Sequence, residues 1–336
     1  MDLIFGLDLG NGYVKIAGED LNLVFPSGLV RVKETEKLMN GKNFDVFKVK
    51  TIKDEENEYF LGNDVEKMGD FIATNIGEGR YKDKYFKIIG ESAIAYAIKC
   101  SVDNPSKEKH IVYIVAGLPS REKSAKVDEE LKKALQGNHI VEIDGVEIAF
   151  EVKILKIIAQ PLGTLFNYIL NGNLELNEKY VGIIDCGTGT TDIDGIKELT
   201  VVDGDRDTFS IGSYEVYQRI SDYVNKENVY ANSTFKKIEE QFENDVYRIS
   251  DRALVDIADI KEQTVKNLSE DLINKISIRW QNLTKFDKIF LTGGSSSIFG
   301  EEIKKLIEDI VIVPNPQIAN AQGFYKYAKF LCDEKQ

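Results

Sequence analysis

The sequence predicts an α/β fold made of two similar halves, and three observations carry that expectation. Runs with buried-strand character alternate with segments of helical periodicity along the chain. The 336 residues exceed what one ordinary core holds, which favours two domains or one large duplicated unit. A short frame also occurs twice. "GLDLGNGYVK" and "IIDCGTGTTD" both read apolar–apolar–Asp–x–Gly–x–Gly, aligning Asp8 with Asp185, Gly10 with Gly187 and Gly12 with Gly189.

In chain order, residues 3–9 and 13–18 predict paired strands joined at Asn11-Gly12, a dipeptide that marks hairpins. Residues 21–32 add a strand that ends in a Pro-Ser-Gly turn. Residues 33–82 are charged and broken, with strand-like runs "FDVFKVKTI" and "NEYFLG", and predict a small inserted subdomain. "YKDKYFKIIGESAIAYAIKC" has apolar residues at helical spacing, "HIVYIVAGLPS" reads as a buried strand and "REKSAKVDEELKKALQ" as a helix. Asp144-Gly145 joins two strands inside "HIVEIDGVEIAFEVKILKII". The next helix begins at Pro161 and closes at Gly172. The second half opens with the strand "YVGIIDCG" and continues with a hairpin, helical stretches between about 213 and 283, the strand "KIFLTGG" and closing helices. His110 and His139 flank apolar strands and read as structural.

Composition narrows the function classes. A net charge of −13 disfavours direct binding to a phosphate backbone. No apolar run approaches the roughly 20 residues of a membrane span, and the N-terminus lacks the basic flank of a signal or transit peptide. No membrane attachment and a cytoplasmic location are therefore expected. Cys100, Cys186 and Cys332 are far apart and without metal-ligand spacing, which fits reduced thiols.

The repeated frame carries the chemistry. In each copy a buried strand delivers an Asp into a glycine-containing turn. Glycines permit positive φ and close backbone approach, so successive N–H groups can point at a phosphate. Thr188, Thr190 and Thr191 offer hydroxyls in the second copy, and Lys15 offers charge in the first. One Asp at each strand end suits Mg2+, which needs only one or two carboxylates beside phosphates and keeps several waters. Neither a P-loop nor the third glycine of the dinucleotide fingerprint is present. A third strand-to-turn element, "KIFLTGGSSSIFG", places Gly293-Gly294 where a base and ribose could lie on bare backbone.

With these turns in this order, the chain resembles the actin-like ATPase superfamily. "DLGNGYVK" is similar to its first phosphate motif, "DCGTGTTD" to its second and "LTGGSSSIFG" to its adenosine motif. "IIAQPLGTL" and "VPNPQIANAQGFYKYA" resemble its two connecting helices. The resemblance implies a duplicated, ribonuclease H-like fold with a nucleotide cleft between two domains. It implies a first domain over 1–170, with the insert near 33–82, to which the C-terminal helices of 316–336 return. It implies a second domain over 171–315 with an inserted helical subdomain near 213–283. By the same resemblance Asp8 and Asp185 would hold Mg2+, mainly through water. Gly10, Asn11, Gly12 and Lys15 would cradle the phosphates of ATP from one side, and Gly187, Thr188, Gly189 and Thr190 from the other. Gly293, Gly294 and Ser295 would support the adenosine, with Gly212 and Glu215 as further nucleotide contacts. Gln160 would orient the attacking water, and hydrolysis would be slow. GTP in place of ATP stays open.

Within the superfamily, too few residues follow the adenosine motif for a heat-shock chaperone, and 100–160 offers no convincing substrate-activating carboxylate for a small-molecule kinase. The cell-shape protein MreB and the division protein FtsA carry an amphipathic membrane helix that is not evident here. The nearest resemblance is to ParM-type plasmid-segregation actins. It implies head-to-tail self-assembly into nucleotide-dependent filaments, with plasmid or phage DNA reached through a separate small basic adaptor protein. A phosphotransferase and a non-filamentous actin-like switch remain the alternatives.

Overall fold

The computed structural model describes residues 2–35, 43–74 and 79–334. The chain forms two compact units. One runs to Leu174 and resumes at Ile318, and the other spans Glu175–Gln317.

The first unit begins with β1 (Asp2–Leu9), β2 (Tyr13–Gly18), β3 (Leu21–Pro26) and β4 (Gly28–Arg31), followed by one turn of helix, α1 (Val32–Thr35). Next come β5 (Phe47–Thr51), β6 (Glu58–Leu61), β7 (Ile72–Ala73), α2 (Lys84–Ser101) and β8 (His110–Leu118). α3 (Ala125–Leu135), β9 (Gly137–Ile143), β10 (Val146–Ala159) and α4 (Gln160–Ile169) complete this stretch. Among the described residues these strands form one sheet in the order β3-β2-β1-β8-β10-β9-β5-β6-β4-β7. β1 is parallel to β8 and antiparallel to β2, and β8 is parallel to β10. β1 is buried along nearly its whole length, as its almost unbroken apolar run requires of a central strand.

The segment expected as an insert contributes to this same sheet. β5 pairs antiparallel with β9, setting Val49 opposite Ile143 and carrying β6 and β4 outward from it. Val30, Val32, Phe60, Val65 and Met68 form a small core of their own on that extension. Residues 36–42 and 75–78 of the expected insert lie outside the described residues.

The second unit contains β11 (Tyr180–Cys186), β12 (Thr191–Lys197), β13 (Thr200–Phe209), α5 (Ser213–Glu227) and α6 (Phe235–Gln241). It continues with β14 (Val246–Ser250), β15 (Ala253–Asp256), α7 (Ala258–Trp280), β16 (Lys288–Thr292), α8 (Ser296–Leu306) and β17 (Ile310–Ile312). Its main sheet has the order β13-β12-β11-β16-β17. β11 is antiparallel to β12 and parallel to β16, and β16 is parallel to β17. This repeats β3-β2-β1-β8-β10 strand for strand. Asp8 lies opposite Lys15 in the first copy, and Asp185 lies opposite Asp192 in the second, at the same step of the ladder.

The stretch expected to be helical between about 213 and 283 holds a hairpin between α6 and α7. β14 and β15 pair with Tyr247 opposite Val255, both buried, while Val246 and Leu254 face outward. That alternation has period two and cannot lie along one face of a helix.

α9 (Ala319–Asp333) brings the chain back to the first unit. It crosses α4 where two glycines meet, since a Cβ on Gly323 would stand 1.7 Å from Gly163 O. Asn320 Oδ1 takes both the Thr164 N–H at 3.1 Å and the Thr164 hydroxyl at 2.7 Å. These contacts fix the start of α4 against the sheet, which matters because α4 begins at Gln160.

Candidate functional site

The turn between β1 and β2 is the candidate site of the first unit. Asp8 is fully buried near the end of β1. A buried carboxylate needs partners, and it has two. Lys15, opposite on β2, brings Nζ to 3.0 Å from Oδ2, and Gln160 donates Nε2 to Oδ1 at 2.6 Å. Lys15, expected to lend its charge to a phosphate, therefore rests on Asp8. Gln160 gives its amide N–H to the same group, which leaves its amide oxygen as the acceptor.

The loop itself is closed by Gly10 N donating to Tyr13 O at 3.1 Å. Asn11 and Gly12 at its tip are exposed, and neither takes a positive φ. The Asn-Gly pair marks the hairpin, but its turn is not the mirror-image type that needs two positive φ angles. Gly10 is required for space, because a Cβ there would stand 2.9 Å from Tyr13 O. Ser27 lies behind the loop, almost fully buried. Its hydroxyl donates to Gly10 O at 2.7 Å and its N–H to Gly12 O at 2.9 Å.

Arg80 was not singled out from sequence. It is buried, and its guanidinium donates through Nη1 to Asn11 Oδ1 and through Nη2 to the Tyr81 hydroxyl at 2.9 Å. Its Nε makes no hydrogen bond among the described residues and lies 3.7 Å from the Glu122 carboxylate. Burial, with Glu122 adjacent, pushes the Tyr81 phenol above its ordinary pKa, so it stays a neutral donor to Glu122. The cluster holds a cation directly behind the Asn11 side chain. No periodicity or spacing reveals it, because Arg80 meets Asn11 only across the fold.

The turn between β11 and β12 is its counterpart in the second unit. Gly187 N donates to Thr190 O at 2.8 Å, the same closure as Gly10 to Tyr13. Thr188 O accepts the Tyr214 N–H at 2.8 Å, and a Cβ on Gly212 would stand 2.4 Å from Thr188 O. Gly212 thus lets the start of α5 press against the turn. Gly189 and Thr190 are exposed, and a Cβ on Gly189 would meet nothing within 4 Å. Thr191, expected to offer a ligand hydroxyl, is fully buried and donates it to Ile211 O at 2.8 Å. Burial pushes the Cys186 thiol up to about 12, so it acts as a packed apolar group.

The third element touches this same turn. Gly293 has φ +88°, and a Cβ there would stand 2.3 Å from Asp185 Oδ1 and 2.4 Å from Cys186 O. Ser295, expected under an adenosine, donates its hydroxyl to Gly187 O at 2.7 Å and its N–H to Cys186 O at 2.9 Å. Gly294 is exposed beside Gln317. The Glu215 carboxylate pairs with Arg219 one helical turn on, at 3.0 Å. The first unit therefore gathers Asp8, Gly10, Asn11, Gly12, Lys15 and Gln160. The second gathers Asp185, Gly187, Thr188, Gly212, Gly293 and Ser295.

Two matched strand–turn–strand units, each with a carboxylate behind a backbone-lined loop, call for comparison with known proteins. Residues 6–163 match the family model for the N-terminal domain of actin-like proteins. Residues 183–305 match that for the C-terminal domain of the archaeal actin homologue MreB-like. Among solved structures, apo psk41 ParM superposes with a TM-score of 0.81 at 25% identity, covering 99% of this chain and 99% of that one. The fold is actin-like. The actin-like chain is also similar to Ta0583, an archaeal actin homolog solved in complex with ADP, with TM-score 0.78, 20% identity and coverage of 98% and 99%. The Alp12 filament structure superposes with TM-score 0.70 at 19% identity, again covering 98% and 99%. No curated protein sequence matches the chain. No described helix is long and apolar enough to cross a membrane.

Proposed function

We propose that this actin-like chain binds a nucleoside triphosphate with Mg2+ through both turns, hydrolyses it slowly, and assembles head to tail into filaments. The observation that carries this reading is the repeated turn. In each unit a glycine N–H closes the loop three residues on, a strand-borne Asp stands behind it, and the tip is exposed. The psk41 ParM and Alp12 filament similarities support the assembly part, and the ADP complex of Ta0583 supports the nucleotide.

The donor set fits Mg2+. Two carboxylates at strand ends beside phosphate oxygens are what that ion uses, and Asp8, already holding Lys15 and Gln160, suits contact through water. Bound there, the ion would neutralise phosphate charge. The chain's own residues do the positioning. The Asn11, Thr188 and Gly189 amides meet the phosphates, and Gln160, tethered to Asp8, presents its amide oxygen to the attacking water. A neutral amide orients water without abstracting its proton, which makes turnover slow and suited to timing. We further propose that the filaments move plasmid or phage DNA in the cytoplasm through a small basic adaptor, in keeping with the chain's net charge of −13. ATP is the proposed nucleotide, with GTP the competitor to test beside it.

The chemistry is tested with two variants. Asp185→Ala should abolish Mg-ATP hydrolysis. Gln160→Ala should slow it by about a hundredfold while leaving nucleotide affinity within about twofold. Equal loss of nucleotide binding in both variants would reject the role given to Gln160.

A further inference from the structure

Resting on that nucleotide reading, we infer that Ser27 and Ser295 are the positioning residues that aim the two phosphate turns. They occupy unrelated places in sequence: Ser27 joins β3 to β4, and Ser295 precedes α8. Yet each is nearly fully buried and makes the same bond. Ser27 Oγ donates to Gly10 O at 2.7 Å, and Ser295 Oγ donates to Gly187 O at 2.7 Å. Gly10 and Gly187 are the equivalent first glycines of the repeat.

The consequence follows from the planar trans peptide, in which a carbonyl and the next residue's N–H point in opposite directions. Holding Gly10 C=O toward Ser27 turns the Asn11 N–H the other way. Holding Gly187 C=O toward Ser295 does the same for the Thr188 N–H, and the Tyr214 N–H on Thr188 O turns the Gly189 N–H outward in turn. The N–H groups of Asn11, Thr188 and Gly189 have no hydrogen-bond partner among the described residues. Each serine therefore presets at least one free backbone donor per turn before any ligand arrives. The Ser27 N–H on Gly12 O and the Ser295 N–H on Cys186 O stop either serine from swinging away.

The effect is specific to the phosphates. Removing a lock lets the first peptide of the turn rotate, costing charge-assisted bonds to phosphate oxygens but none to a nucleoside. The test is equilibrium binding of ATP, ADP and adenosine to the wild-type chain and to Ser27→Ala, Ser295→Ala and the corresponding Thr variants, with ligand-free thermal melts of each. Each Ala variant is expected to weaken ATP about tenfold, as one charge-assisted hydrogen bond is worth, with adenosine affinity unchanged and the hydroxyl-bearing Thr variants closer to wild type. Ala variants that keep the wild-type ratio of ATP to adenosine affinity overturn the inference, as does parallel loss of both ligands with a lowered melt. A wild-type chain that binds no nucleotide overturns the functional reading itself, and this inference with it.

Discussion

Gly293 shows how narrowly the second carboxylate is seated. Its backbone takes a φ of +88°, and its missing side chain leaves room for Asp185 Oδ1, which a Cβ would approach to 2.3 Å. Gly293→Ala meets both obstacles at once, a left-handed backbone and a collision with neighbours that are themselves backbone or a charged group. The expected cost is about 3 kcal/mol, read as a lower denaturation midpoint with an unchanged slope. A variant as stable as the wild type would mean that the Asp185 carboxylate is not held there. On the other turn, Asp8 has both oxygens engaged, by Lys15 and by Gln160. It is already paired in its buried place, and on the proposed reading metal or phosphate would add to that arrangement without creating it.

At the scale of elements, two Asx-Gly hairpin loops of the first unit are instructive. Asp144 and Gly145 take φ of 50° and 81°, the mirror-image turn, and Ile143 pairs directly with Val146 across it. Asn11 and Gly12 carry the same sequence signal without the positive φ, because Ser27 draws in the carbonyls of Gly10 and Gly12 and widens the loop. The hairpin was legible from local sequence. Its turn was not, since the deciding contact comes from seventeen residues away. Likewise the strands around both Asp residues announce themselves by long apolar runs, whereas β17 has three residues and β14–β15 nine between them, too few for a period to register. The repeated frame pointed to the site, but Arg80, Ser27 and the turn-directed bonds of Ser295 are tertiary facts.

A second element-scale feature is the buried group joining the end of β5 to α2 and β9. Glu91 accepts from the Thr51 hydroxyl, meets Lys53 Nζ at 2.6 Å and His139 Nδ1 at 2.9 Å, and His139 Nε2 lies 2.7 Å from Leu135 O. Burial alone would raise the Glu91 pKa, but the His139 bond and the Lys53 charge outweigh it and bring it below its ordinary 4.5. A carboxylate with a depressed folded pKa stabilises the fold above its unfolded value, and that contribution disappears as pH falls through the folded one. The Glu91 contribution should therefore be level above 4.5 and decline below it. Denaturation midpoints measured from about pH 6 down to about pH 3 should fall less steeply in Glu91→Gln than in the wild type. Parallel profiles would assign the acid sensitivity to other groups.

For the whole molecule, the two units share one strand order and one turn design, as a duplicated ancestor would leave them. The exposed apolar side chains of the second unit include Val229 and Tyr230 after α5 and Leu254 on β15, surface that an assembling protein is expected to bury. A head-to-tail contact that does not close on itself yields a helical filament. The most direct measurement is right-angle light scattering of the purified chain on addition of Mg-ATP, over a range of protein concentrations, with electron microscopy of the same samples. A filament-forming chain gives a cooperative rise above a critical concentration, filaments on the grid, and decay of the signal as the nucleotide is hydrolysed. Nucleotide binding without a rise in scattering at any concentration would rule out nucleotide-dependent filament assembly.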